Sequence, residues 1–212
     1  MRKFKEQDPF SWDNISINKY YDILDILESE DDDITKNVRL VSVILDKDES
    51  EIWDMDIQDV SEYTHKLGFL NKFDLPSAPK KVIIGDYKLE VVKDISKISI
   101  GQYVDYQNFV TRPLRESIDK ILSVFLIPEG KKYNTDYDII NLQQTIREHM
   151  SFKIAQSFLQ FFFIKYLKLL MHSLRSFQKA MKKETDPEKR KEAEKKVEEI
   201  EKKVEALTHL IG

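Results

Sequence analysis

Between Tyr87 and Gln102 the side-chain periodicity of this chain changes, and any fold it adopts must accommodate that change. Tyr87, Leu89 and Val91 alternate with Lys88 and Glu90, the period of a strand with one covered face. Ser99 followed by Gln102 is a capping-box pair, so a helix is expected to start at Ile100. Gly85-Asp86 lies midway along residues 81–92 and suits a two-residue type II′ turn, which makes that stretch a β-hairpin. A lone hairpin is marginal in water and is expected to pack on helices or pair with another chain. The stretch around Ser99 is thus a joint between two helical halves.

The first half is read as a small bundle ending near Leu70. Residues 1–14, with Phe4, Phe10 and Trp12, form a loosely packed lead-in. Ser16 is placed as an N-cap, with Ile15 and Tyr20 as a hydrophobic staple. The helix over 17–28 would bury Tyr20, Ile23, Leu24 and Leu27, and a second over 34–45 would bury Val38, Val41, Ile44 and Leu45. Asp48 and Glu51 form a cap-like pair, Asp56 caps a helix over 57–67, and Gly68 is expected as its left-handed C′ residue. Pro76, Ser77, Ala78 and Pro79 mark a linker.

The second half reads as helices over 100–110, 114–127 and 139–149, broken at Arg112-Pro113 and Pro128-Glu129-Gly130. Tyr103, Tyr106, Phe109 and Phe125 are expected to line one region around these helices. Ser151 would cap the longest helix, 152 to about 183, roughly 45–50 Å long. Apolar residues sit nearly all round it from Phe158 to Met171, so it should be covered on several sides. Lys165 and Lys168 interrupt this run, which is read as too short to cross a bilayer. After Asp186-Pro187, Ala193, Val197, Ile200, Val204, Leu207 and Ile211 recur in heptad spacing. That helix either folds back on its predecessor or self-associates, and the two options are compatible. The division expected is a bundle over 1–70, linker and hairpin over 71–97, a helical region over 98–184 and a heptad helix over 185–212. The fold class is mainly α.

Little in the chain points to chemistry. Charged residues make up 34% with a net charge of −4 and no clustered basic footprint, which argues against nucleic acid as a main partner. The absence of cysteine excludes disulfides and thiolate chemistry, and fits a reducing cytoplasm. Residues 1–9 hold no apolar signal core. Asp46, Asp48, Ser50 and Asp54 resemble the start of a calcium loop, but Glu51 and Ile57 stand where a glycine and a bidentate glutamate are needed. The histidines at 65, 149, 172 and 209 share no metal-ligand spacing, and Gly-rich phosphate loops and serine-nucleophile motifs are absent. Lys131, Lys132, Tyr133 and Tyr137 form a basic-aromatic loop, read as an ordinary loop whose tyrosines pack on a helix. No catalytic residue, cofactor or metal is expected.

Four stretches carry a resemblance. They are Trp12-Asp-Asn-Ile-Ser-Ile with Tyr20, Ile52-Trp53 through Val60, Ile98-Ser-Ile-Gly-Gln-Tyr-Val-Asp-Tyr-Gln107, and Phe125-Leu-Ile-Pro-Glu-Gly-Lys-Lys-Tyr133. Over residues 12–180 the layout resembles small helical tail assembly chaperones and related morphogenesis proteins of long-tailed bacteriophages, especially those of gut Bacteroidetes. The resemblance implies a non-enzymatic role in the host cytoplasm, binding the helical tape-measure protein and assisting tail-tube subunits, with no membrane partner. A structural virion component, such as a connector or adaptor ring subunit, is the alternative. The surface expected to hold a partner helix is Phe158, Phe161, Phe162, Ile164, Leu167 and Leu170, which could equally be core. Val197, Ile200, Val204, Leu207 and Ile211 are the expected oligomerisation stripe.

Overall fold

The computed structural model describes residues 8–92, 94–181 and 186–211; the side chains of Ala180, Lys203 and residues 206–211 lie outside that description, as does Phe4. The chain is 68% helical with one small antiparallel sheet, a mainly α fold. In order come α1 (Ile17–Glu28), α2 (Asp33–Leu45), α3 (Glu49–Trp53), α4 (Ile57–Lys66), β1 (Lys81–Ile84), β2 (Tyr87–Val91), α5 (Ile100–Val110), α6 (Leu114–Phe125), β3 (Leu126–Pro128), α7 (Ile139–His149), α8 (Phe152–Met181) and α9 (Pro187–Ile211). Packing groups them into two compact units. One comprises residues 1–92 and 99–157, the other residues 93–98 and 158–212. The helices α1–α4 before the hairpin and α5–α7 after it fall in the first of these units.

Caps start the helices where the side chains dictate. Ser16 accepts from Lys19 N–H at 3.2 Å, and Ser99 from Gln102 N–H at 3.2 Å. The Gln102 side chain accepts from Ser99 N–H and donates to the Val124 carbonyl at 2.7 Å, tying the capping box to α6. Asp32, Asp94 and Asp138 cap in the same way, and Asp48 with Glu51 completes a second capping box. Gly68 takes no left-handed conformation. After Lys66 the chain tightens into a 3₁₀ turn over Leu67–Asn71 that buries Leu67, so no Schellman-type stop is needed.

The hairpin pairs Ile84 with Tyr87 across Gly85-Asp86. Gly85 has φ +53° and Asp86 does not take positive φ, as a II′ turn requires. The partner that relieves its marginal stability comes from the chain itself: β2 pairs on its other edge with β3, Leu89 opposite Pro128 and Val91 opposite Leu126. The helix expected to reach residue 127 instead ends at Phe125. A short apolar run such as Val124–Ile127 carries no periodicity that separates strand from helix, and here sheet pairing wins. Pro128, which has no N–H, is tolerated because β3 is an edge strand. Lys81 and Lys88 close over Glu129 by hydrogen bonds and hold its carboxyl down at about 2.

The first-half helices surround a core of Phe10, Ile15, Ile23, Ile26, Val38, Leu40, Val41, Ile44, Ile52 and Leu67. The lead-in from residue 8 is not loose. Phe10 is buried and stacks on Tyr63 at 5.6 Å, while the Trp12 indole N–H donates to the Phe69 carbonyl at 3.1 Å. Aromatic area of this size, with the indole donor satisfied, holds a segment that propensity alone leaves irregular.

α1 is joined to the second half along two lines. Ser16 and Ser151 form an antiparallel bridge, with Ile17 N–H donating to Met150 O at 3.2 Å and Phe152 N–H to Ile15 O at 2.7 Å. Beside it, Arg147 of α7 donates to Asn18 Oδ1 at 2.8 Å, to the Arg115 carbonyl at 3.1 Å and to buried Asp119 at 3.2 Å. Tyr21 lies beneath Arg115 and Arg147, and burial, reinforced by Tyr20, pushes its hydroxyl up to about 12. Arg115 also makes a two-pronged contact with Asp25.

Two outcomes are expected. Gly85→Ala should cost about 1–2 kcal/mol in urea unfolding, from the left-handed φ and from a Cβ that would sit 3.2 Å from Thr145 Cγ2; an unchanged midpoint would refute the turn geometry. Arg147→Ala strands the Asp119 carboxylate and should cost roughly 2–4 kcal/mol. An apolar double replacement, Arg147→Met with Asp119→Leu, should recover much of that loss, and a double variant no more stable than Arg147→Ala would contradict the assignment.

Candidate protein-binding surfaces

α8 is continuous from Phe152, started by Ser151, whose hydroxyl accepts from Ile154 N–H at 3.4 Å. Its expected end near Lys183 lies outside the described residues. Buried positions recur at three- and four-residue steps along it: Ala155, Phe158, Leu159, Phe162, Phe163, Tyr166, Leu170 and Leu174. That is the broad apolar stripe of a core helix.

This burial divides the six residues expected to hold a partner helix. Phe158, Phe162 and Leu170 are buried, the first two at 0% and 1% exposure. Phe158 and Phe162 stack at 6.2 Å, and Phe161 meets Phe162 edge-on at 5.3 Å. Phe161, Ile164 and Leu167 are half-buried, with Lys165 Nζ 4.9 Å from the Phe161 ring centroid. The six therefore do not form one open surface. The six lie close along the chain, but a helix separates neighbours by about 100° and puts them on different faces. Over Phe152–Lys179, α8 is long and apolar enough to cross a membrane by length and composition, despite Lys165 and Lys168; 44% of its apolar window is buried, and core helices pass the same test.

A different apolar surface opens in the first unit. Trp12, Tyr20, Ile23, Leu24, Leu27, Leu70, Phe73, Phe152 and Gln156 line a groove of about 370 Å³. The Trp12 ring meets Phe69 at 5.6 Å and Phe73 at 5.1 Å, both edge-on. Tyr20 stacks on Phe152 at 3.4 Å, and burial followed by the charge of Glu28 raises its hydroxyl pKa. Leu27 is 48% exposed and Phe73 41%.

The groove exists because α1 is rotated from the expected orientation. Ile17, Tyr21, Ile23 and Ile26 are its buried residues, while Tyr20 and Leu24 are half-buried and Leu27 is exposed. Tyr21 turns inward because it must sit beneath Arg115 and Arg147, a contact between residues distant in sequence. Tyr20, Leu24 and Leu27 are thereby left at the rim. Phe73, in a segment read only as the approach to a linker, completes the wall.

The second-half aromatics also separate. Tyr106 and Phe125 are buried edge-on at 5.3 Å, Phe109 is half-buried beside Arg112, and Tyr103 is 43% exposed. In the basic-aromatic loop, Tyr133 donates to Asp105 of α5 at 2.7 Å; burial and that carboxylate raise its pKa. Among the described residues, no group of His, Cys, Asp and Glu is placed to hold a metal ion. Asp46 caps α2 in a left-handed conformation and pairs with Lys19 at 2.6 Å, while Asp48 caps α3. His65, His149 and His172 are exposed, and the His209 side chain lies outside the described residues.

On α9, Asp186 caps the start, accepting from Glu188 N–H at 2.9 Å. Val197, Ile200 and Val204 are half-buried; the side chains of Leu207 and Ile211 lie outside the described residues. Gln178 of α8 approaches Glu201 of α9 at 3.5 Å, which puts the two helices side by side at that point.

Core and surface on α8 can be told apart by truncation. Phe158→Ala should cost about 3–5 kcal/mol in denaturant unfolding, through lost burial and the cavity left behind. Phe161→Ala should cost roughly 1–2 kcal/mol; equal costs would contradict the division of the two rings.

In comparisons with known proteins, no family model, no curated protein and no solved structure matches this chain.

Proposed function

We propose that this chain is a non-enzymatic assembly chaperone of the bacteriophage-tail kind, which acts in the cytoplasm of the infected host and shields an apolar helical stripe of a long tape-measure-type protein. The observation that carries the reading is the groove around Trp12, with Leu27 and Phe73 exposed at its rim. It offers what helix-in-groove recognition uses: a lining of aromatic and aliphatic side chains and room for a few anchors. Trp12 and Tyr20, held by neighbouring rings, lose little freedom on binding. The layout that resembles tail assembly chaperones begins at Trp12, one of the groove residues.

The test is a tagged pull-down from infected, lysing cells, with purified mature particles probed in parallel. The expected result is recovery of a long helical tail protein and no tagged chain in finished particles. Leu27→Asp with Phe73→Asp should reduce that recovery about tenfold or more without altering the circular-dichroism spectrum. Fixed copies in finished particles would overturn the chaperone reading in favour of a connector or ring subunit. Recovery unaffected by the double variant would overturn the groove.

A further inference from the structure

The helix α9 carries a stripe that its own chain covers only in part. Of its described side chains, Ala193, Val197, Ile200 and Val204 are half-buried and every other one is exposed. These four occupy successive d, a, d and a positions of a heptad, and Leu207 and Ile211 continue the spacing in the sequence. β-Branched residues fill the a positions (Val197, Val204, Ile211), and d moves from Ala193 to Ile200 to Leu207. In parallel coils, valine or isoleucine at a with leucine at d, as at Leu207, favours two strands.

The charges beside the stripe select its partner. The g positions are Lys189, Lys196 and Lys203; the e positions include Glu194 and Glu201. In a parallel pair each g residue faces the next e residue of the other helix. That sets Lys189 against Glu194 and Lys196 against Glu201, each twice by symmetry. An antiparallel pair would set lysine rows against lysine rows and glutamate rows against glutamate rows, which is repulsive. Intrahelical pairs include Lys202 with Glu198 at 2.8 Å on the outward side and Arg190 with Glu194 at 3.4 Å. Lys196 now bridges to Glu192 at 2.7 Å but stays exposed, as Glu194 and Glu201 do. Glu201 meets Gln178 at 3.5 Å, so α8 lies along one flank, and Lys189, Lys196, Glu194 and Glu201 stay exposed.

We propose that α9 is a parallel homodimerisation helix, whose Ala193, Val197, Ile200 and Val204 stripe seats against the same stripe of a second copy in a register set by lysine at g and glutamate at e. The pairing does not depend on the groove or on any tail-protein partner. About three heptads make a short coil, so the dimer forms reversibly with concentration.

The experiment uses the full chain in sedimentation velocity over a wide concentration range. A monomer–dimer equilibrium is expected. Lys189→Glu with Lys196→Glu sets glutamate against glutamate and should raise the dimer dissociation constant about tenfold or more. Glu194→Lys with Glu201→Lys should do the same, and an equimolar mixture of the two variants should regain the dimer. Circular dichroism checks that each variant keeps its helix content. Because the chain contains no cysteine, Ala193→Cys gives a clean test of direction. In a parallel pair the two thiols meet at d and oxidise to a linked dimer, whereas Glu199→Cys, on the outer face, should link poorly. A monomer at every concentration overturns the proposal. So does a dimer indifferent to the charge variants, or one that Ala193→Cys fails to cross-link.

Discussion

The first unit depends on the place where two helix starts meet. Ser16 and Ser151 lie 135 positions apart in the chain, yet their flanking backbones exchange two hydrogen bonds, Ile17 with Met150 and Ile15 with Phe152. Backbone groups just before a helix have no intrahelical partner and, when covered, must find one elsewhere. Here each start satisfies the other. The bridge fixes the entry angles of α1 and α8 together, brings Phe152 onto Tyr20, and aligns α1 along α7.

Arg147 makes that alignment specific. Its guanidinium serves Asn18 of α1 and, on α6, the Arg115 carbonyl and Asp119 at once. A planar fork of donors suits such a task, and a lysine could not serve it. Its demand on Tyr21 has a consequence on the opposite side of α1. Turning one tyrosine inward leaves Tyr20, Leu24 and Leu27 at the surface, where they become a groove wall. The apolar surface that best fits a partner is thus a by-product of a polar contact.

The paired hydrogen bonds of Ser99 and Gln102 show how far local chemistry reaches. Ser16 and Ser99 follow the same Ile-Ser-Ile start and cap in the same way. They differ in what lies beyond the cap: Gln102 extends to Val124, while Ser16 bridges to Ser151. The N-caps at Ser16, Ser99 and Ser151, the proline break, the two-residue hairpin turn and the heptad spacing are legible, because each depends on residues within one or two turns of one another. The site was legible only in part. Side-chain period marks Tyr20, Leu24 and Leu27 as apolar and assigns them to the inside, and it marks the Phe158 to Leu170 set as apolar without dividing core from interface.

The sequence by itself determined where helices begin, where the hairpin turns, and which positions are apolar, since capping geometry, the left-handed φ of Gly85 and side-chain period are local properties. Only the tertiary structure decided which apolar residues are covered. It turned Leu126 and Ile127 from the end of a helix into a third strand, rotated α1 about its axis, and sent Phe158 and Phe162 inward while Phe161 stayed at the edge. The physical reason is the same in each case. Helix and strand periods say that an apolar face exists, but the partner that covers it is chosen by hydrogen bonds and ion pairs between residues far apart in the chain. Those pairings carry no signature in the local sequence.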